Sequence, residues 1–152
     1  MTIRGYNEID EQGVLDLLEE LRGSAESSAF SLYLQDSSTY KNSYLKTKNY
    51  IVLVALDDKD KTVTGFIVAE HYLNDTVNLV MLYVGKEFRR KGIAFKLKTA
   101  MYLLCSARGY KKIVSQVRMN NEKSIQLNIK SGWKQEIDKV YPHYYYWFSK
   151  EL

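Results

Sequence analysis

Residues 77–94 read Val-Asn-Leu-Val-Met-Leu-Tyr-Val-Gly-Lys-Glu-Phe-Arg-Arg-Lys-Gly-Ile-Ala, and the fold turns on how this stretch divides. Val77 to Val84 is a strongly apolar run of strand length, closed by Gly85. From Gly92 to Arg108 the apolar spacing becomes helical, with Ile93, Leu97, Ala100, Met101 and Leu104 on one stripe and Gly109 as the stop. A strand therefore passes through a short basic loop into a helix. Lys112 to Met119 is a further strand, and a helix of this length is the connection that two parallel strands require.

Working outward from that unit, two strand-like runs precede it, Tyr50 to Leu56 and Val63 to Tyr72. The acidic turn Asp57-Asp58-Lys59-Asp60-Lys61 joins them into an antiparallel hairpin. Near the start, Met1 to Gly5 reads as a short strand, followed by a helix with Asn7 as N-cap and Asp10 and Glu11 in its first turn. Val14, Leu17, Leu18 and Leu21 give that helix one apolar face, and Arg22-Gly23 ends it. Ser24 to Lys48 is polar and rich in tyrosine, and reads as a weaker second helix and a loop. Beyond Met119, Asn121 to Ser131 forms a short helix ending at Gly132. Trp133 to Asp138 and His143 to Ser149 form a closing hairpin. The expected architecture is one α/β (α+β) domain over residues 1–152. It has a mixed, mostly antiparallel sheet of about seven strands, four helices, and a parallel pair at Val77–Val84 and Lys112–Met119.

The chain of 152 residues suits one domain with a single sizeable core. Its one cysteine, Cys105, permits no internal disulfide, and with only His71 and His143 besides, a structural zinc site lacks ligands. Cys105 falls beside the apolar stripe and reads as a packing residue. No signal-peptide pattern opens the sequence, and no apolar run approaches the roughly 20 residues of a membrane span. A cytoplasmic protein with no metal and no membrane partner is the expectation. The net charge of +4 conceals a segregation. Lys86 to Lys134 carries 13 Lys/Arg against Glu87 and Glu122, a local charge of +11, within a frame of −7. Such a segment asks for an anionic partner: a phosphorylated cofactor, a nucleic acid or an acidic surface.

Charge concentrates at Arg89-Arg90-Lys91, immediately before the helix that opens at Gly92. The first amides of a helix lack intrahelical partners, and the dipole adds partial positive charge there. Three cations at that end oppose the dipole unless an anion sits among them, so the conflict itself argues for a ligand. Glycine lets the backbone approach that ligand, arginine can fork onto phosphate oxygens, and the small Ala94 leaves room. These are the parts of a pyrophosphate cradle. Neither G-x-x-x-x-G-K-[ST] nor G-x-G-x-x-G occurs, which excludes the usual nucleotide loops.

The spacing Arg89-x-x-Gly92-x-Ala94, after an apolar strand and opening a helix, resembles the central Gln/Arg-x-x-Gly-x-Gly/Ala motif of the GNAT superfamily of N-acetyltransferases. Asn121-Glu122-Lys123-Ser124 through Lys130-Ser131-Gly132-Trp133 resembles the family's second cofactor-binding stretch, one helix and one strand further on. The resemblance implies acetyl-CoA as co-substrate and an amine, small or on a protein, as acceptor. It implies that the backbone of Leu82, Tyr83 and Val84 pairs with the pantetheine arm where the two parallel strands splay. Amides from Arg89 to Phe95, through Arg90, Lys91, Gly92, Ile93 and Ala94, would hold the pyrophosphate. Asn121 would meet the pantetheine and Lys130 the adenosine phosphates. Asn121, Ser124 and Asn128 fall on one polar stripe, with Ile125 and Ile129 on another face suited to the core. A homodimer through sheet edges is a family-level expectation. An RNA-directed acetyltransferase and a catalytically silent acetyl-CoA-binding regulator are the alternatives.

The family's usual acid and base are missing from their usual places. Asn128 stands where many members carry a tyrosine, and Val77 to Val84 contains no glutamate. Candidate substitutes are Tyr83, Glu70, His71, and one of Tyr141, Tyr144, Tyr145 and Tyr146, or a water chain. In the run Tyr144 to Phe148, alternation puts Tyr144, Tyr146 and Phe148 on one face and Tyr145 and Trp147 on the other.

Overall fold

The computed structural model describes residues 1–24, 49–136 and 145–152. Strands β1 (Thr2–Gly5), β2 (Tyr50–Leu56), β3 (Val63–Leu73), β4 (Thr76–Val84), β5 (Lys112–Arg118), β6 (Lys134–Gln135) and β7 (Tyr145–Glu151) form one seven-stranded sheet in the order β1-β2-β3-β4-β5-β7-β6. All neighbours are antiparallel except β4 and β5. The helices are α1 (Glu11–Arg22), α2 (Ile93–Ala107) and α3 (Glu122–Lys130). Asn7 caps a single 3-10 turn, Glu8–Asp10, and the α-helix proper begins after it. The weaker helix expected between Ser24 and Lys48 lies outside the described residues, as does the part of the closing hairpin from 137 to 144.

Each face of the sheet carries its own core because apolar side chains alternate along the strands. Val14, Leu17, Leu18 and Leu21 of α1 meet Val54, Phe66, Val68, Met81 and Tyr83 on one face. Ile93, Leu97, Met101 and Cys105 of α2 meet Leu53, Ile67, Ala69, Val77, Leu79, Ile113 and Phe148 on the other. Ala100 and Leu104 are only half-buried, so the buried arc of α2 is centred nearer Cys105 than the sequence spacing places it. In α3, Ile125 packs on the α2-side core, but Ile129 is 53% exposed. The short helix turns Asn128 inward instead, which corrects the expectation that Ile125 and Ile129 share a buried face.

One irregularity positions everything that follows. Val68 pairs with Met81 and Ala69 with Leu79, so Val80 is an extra residue in β4, a β-bulge. The bulge inverts the alternation of the strand. Val77 and Leu79 face α2, whereas Met81 and Tyr83 face α1. At the same point the parallel ladder stops. It runs from Thr76↔Lys112 to Leu79↔Ser115 and no further, although β4 continues to Val84 and β5 to Arg118. The two strands part while β3 and β7 still hold their outer edges.

Candidate functional site

Where β4 and β5 separate, the sheet has a cleft of about 320 Å³. Its walls are contributed from both faces of the sheet. On the helix-α2 and α3 side they include Leu82, Lys98, Asn121, Ser124 and Asn128. On the opposite side, by strand alternation, stand Glu70, Tyr72, Asn78, Gln116, Arg118 and Tyr145. The cleft is therefore a slot through the sheet. Past Leu79 the inner main-chain edge of β4 no longer pairs with β5, and among the described residues no other strand takes its place, which suits an extended polar ligand.

Past the end of β4 the chain makes a 3-10 turn, Lys86–Phe88, and enters the basic loop. Arg90 has φ 64° and Gly92 φ 76°, with Lys91 between them on the ordinary side. Alternation of this kind turns successive amides toward one side and makes an anion-binding nest. Nothing lies within 4 Å of where a Cβ of Gly92 would be, so its backbone angle, not crowding, calls for glycine. The helical ladder begins with Lys96 N–H donating to Gly92 O at 3.1 Å. Among the described residues no acceptor serves the amides from Arg90 to Phe95. The Arg89 guanidinium donates through Nε to Val84 O at 3.0 Å and lies over the Tyr83 ring, which ties the loop to β4. Arg90, Lys91 and Gly92 are exposed, as is Phe95, while Ile93 anchors the helix in the core.

The sequence-derived candidates separate into those the fold brings together and those it does not. Leu82, Asn121, Ser124 and Asn128 share the slot with Glu70. The Asn121 side chain also accepts from Ser124 N–H at 3.3 Å as the N-cap of α3. Glu70, half-buried on β3, accepts from Asn78 Nδ2 at 3.1 Å. Tyr83 is buried toward α1, its hydroxyl donating to Glu20 at 2.8 Å, and it does not line the slot. His71 is exposed on the turn side of β3, with Nδ1 3.2 Å from the Tyr110 hydroxyl. Tyr146 packs on the α2-side core, whereas Tyr145 lines the slot and accepts from Arg118 Nε at 3.2 Å. Lys130 is exposed at the end of α3, and Val84 packs on the α2-side core. Tyr141 and Tyr144 lie outside the described residues.

One slot residue escaped the sequence reading. Lys98 sits in the buried arc of α2, three residues before Met101 and seven before Cys105, and is 6% exposed. Its Nζ donates to Asn128 Oδ1 at 2.9 Å and lies 5.3 Å from the centre of the Trp133 ring. Burial, reinforced by repulsion from Lys150, lowers its ammonium pKa to about 8. The signal was present as a charge on an apolar stripe. Cys105, by contrast, is fully buried and its thiol is pushed up by burial, which suits packing. Among the described residues no cluster of three or more His, Cys, Asp or Glu is placed to hold a metal ion. Nor is any of their helices long and apolar enough to cross a membrane.

A strand pair opened by a bulge, leading through a nest of amides without acceptors among the described residues into a helix, suits an extended, phosphate-bearing ligand. Residues 15–133 match the family model described as "Acetyltransferase (GNAT) family". The chain belongs to that family, acyltransferases whose co-substrate is acetyl-CoA. Solved structures share the fold at low identity. A GCN5-related N-acetyltransferase from Kribbella flavida has TM-score 0.83 at 15% identity, with 99% of this chain and 97% of that one covered. PaiA N-acetyltransferase from Thermoplasma acidophilum, solved with coenzyme A, has TM-score 0.75 at 16% identity with both chains fully covered. A ribosomal-protein-alanine N-acetyltransferase from Brucella melitensis has TM-score 0.78 at 18% identity, again with full coverage of both. No curated protein matches the sequence.

Proposed function

We propose that the protein transfers an acetyl group from acetyl-CoA to a primary amine by direct attack within the β4–β5 slot. The observation that carries this reading is the slot itself, open to both faces of the sheet at the bulge. One face offers Leu82, Asn121, Ser124 and the edge of β4 past the β5 ladder; the other offers Glu70, Asn78 and Tyr145. The residues fit the donor. The edge of β4 past the β5 ladder suits the amides of a pantetheine arm, and the amides from Arg90 to Phe95, which have no acceptor among the described residues, suit its pyrophosphate. Asn121 has its oxygen committed to the α3 cap, which leaves its NH₂ to donate toward that arm. When bound, the donor supplies a thioester carbonyl open to attack by nitrogen.

The chain's own groups divide the remaining work. Glu70, the one carboxylate among the lining residues, takes the acceptor's proton, and Asn78 Nδ2 holds it in place. Main-chain N–H groups at the bulge polarise the carbonyl oxygen. Strand β3, which stays paired with β4 past the bulge, and the α3 cap fix the donor edge so that nitrogen and carbon meet at short range. The test is release of CoA thiol with a panel of primary amines, from small polyamines and amino acids to peptide N-termini and lysines. Turnover with at least one amine, and none with the matching tertiary amine, supports the reading. Acetyl-CoA binding without thiol release across the whole panel would make the protein a silent binder.

A further inference from the structure

We propose that Lys98 is the group that meets the departing sulfur in the slot and gives it a proton. The inference rests on the donor reading above and concerns the place vacated by the usual tyrosine. Position 128 is asparagine, and asparagine cannot supply a proton near neutral pH. It is not idle, however. It is 4% exposed, and its Oδ1 holds the Lys98 ammonium at 2.9 Å on the helix side of the slot. The substitution at 128 and the buried lysine at 98 are two ends of one hydrogen bond.

Lys98 is also an unusual charge to bury. Among the described residues no carboxylate pairs with it. The groups facing it are Asn128 from α3, the Trp133 ring beyond α3, Lys150 from β7, whose charge repels it, and Tyr102 one turn along α2, bonded to Trp133 Nε1. An ammonium with only an amide oxygen and a ring face for company retains donor capacity and favours an arriving anion. A thiolate leaving on the helix side, while the amine enters from the Glu70 side, is that anion. Its proton affinity also matches. The cysteine thiol titrates at about 8.5 and an unactivated alkyl thiol is a weaker acid still, so a Lys98 ammonium lowered to about 8 is acidic enough to protonate the departing thiolate.

The step balances. The acceptor enters as the free amine, its ammonium proton already lost to water; the nitrogen's lone pair forms the carbon–nitrogen bond, and the carbon–sulfur bond breaks with its electron pair moving to sulfur. Lys98 Nζ passes one proton to that sulfur, and Glu70 takes one from the nitrogen. Water then reprotonates Lys98 and accepts the proton from Glu70.

The test uses the full-length chain, CoA, and desulfo-CoA, which lacks the thiol. The thiol of bound CoA is titrated by its ultraviolet thiolate absorbance, and both ligands are titrated calorimetrically. In the wild-type protein the bound thiol is expected to titrate at least about one unit below its free value, so that the thiolate binds about tenfold tighter than the thiol. Lys98→Met should return it to the free value with desulfo-CoA affinity unchanged, and Lys98→Arg should keep most of the shift. A bound thiol that titrates normally in the wild type overturns the proposal without any variant. So does an equal loss of affinity for both ligands in Lys98→Met, which marks a purely architectural lysine. If desulfo-CoA and CoA both fail to bind the wild type, the donor reading falls and this inference with it.

Discussion

At the residue scale, the buried Lys98 has a thermodynamic signature independent of catalysis. Its pKa is lowered in the fold from 10.5 to about 8. Below about 8 both folded and unfolded chains hold the proton, and the fold bears the whole cost of the buried charge. Between about 8 and 10.5 the unfolded chain binds more protons, so stability rises with pH across that window. Lys98→Met should therefore be more stable than wild type at pH 7, by on the order of 3 kcal/mol at most given 1.36 kcal/mol per pKa unit. The difference should shrink as pH climbs toward 10.5, as followed by urea unfolding at several pH values. A wild-type site less stable than its apolar variant is what a functional lysine, kept for chemistry, should look like. Glu70 makes the complementary prediction on the other side of the slot. Glu70→Gln keeps the shape and the contact with Asn78 but removes the base. It should lower kcat by at least about 10²-fold, with acetyl-CoA affinity unchanged in the same calorimetric titration.

At the element scale, β4 decides the site because it has one residue too many. The bulge at Val80 re-aims Met81 and Tyr83 toward α1 and coincides with the end of the β5 ladder. Close packing holds the far end of β4 in place. A Cβ on Gly65 would come within 3.0 Å of Tyr83 O and 3.3 Å of Leu97 Cδ1. Gly65→Val should thus destabilise the protein by about 1–3 kcal/mol, measured by chemical denaturation, and loosen donor binding because β4 shifts at the slot. The strand-loop-helix-strand unit was legible in the sequence because its apolar period changes abruptly at Gly92, and Arg89 to Ala94 stood out as charge at a helix start. The bulge was not legible. A run as apolar as Val77 to Val84 reads the same in either register, so nothing signals that the faces exchange at Val80. That ambiguity makes Tyr83 read as a site residue from the sequence, although its hydroxyl belongs to Glu20 on the α1 side. Lys98 is hidden in the sequence because the helical stripe is defined by its apolar positions, and a charge lying among them does not by itself signal burial.

At the scale of the whole molecule, the charge map and the topology agree. The segment from Lys86 to Lys134, carrying +11, builds the basic loop, α2, β5 and α3, the elements around the donor side of the slot. Coulomb attraction there should make acetyl-CoA binding weaken with added salt, because exposed charges are screened within about 8 Å at physiological ionic strength. In the proposed complex two stretches of main chain hold the donor, the edge of β4 past the β5 ladder and the amides that open α2. Hydrogen–deuterium exchange with and without acetyl-CoA addresses it directly. Protection is expected in peptides covering Val80 to Val84 and Arg90 to Phe95, with β1 and β2 unchanged. Calorimetric binding with no protection in either stretch would contradict it.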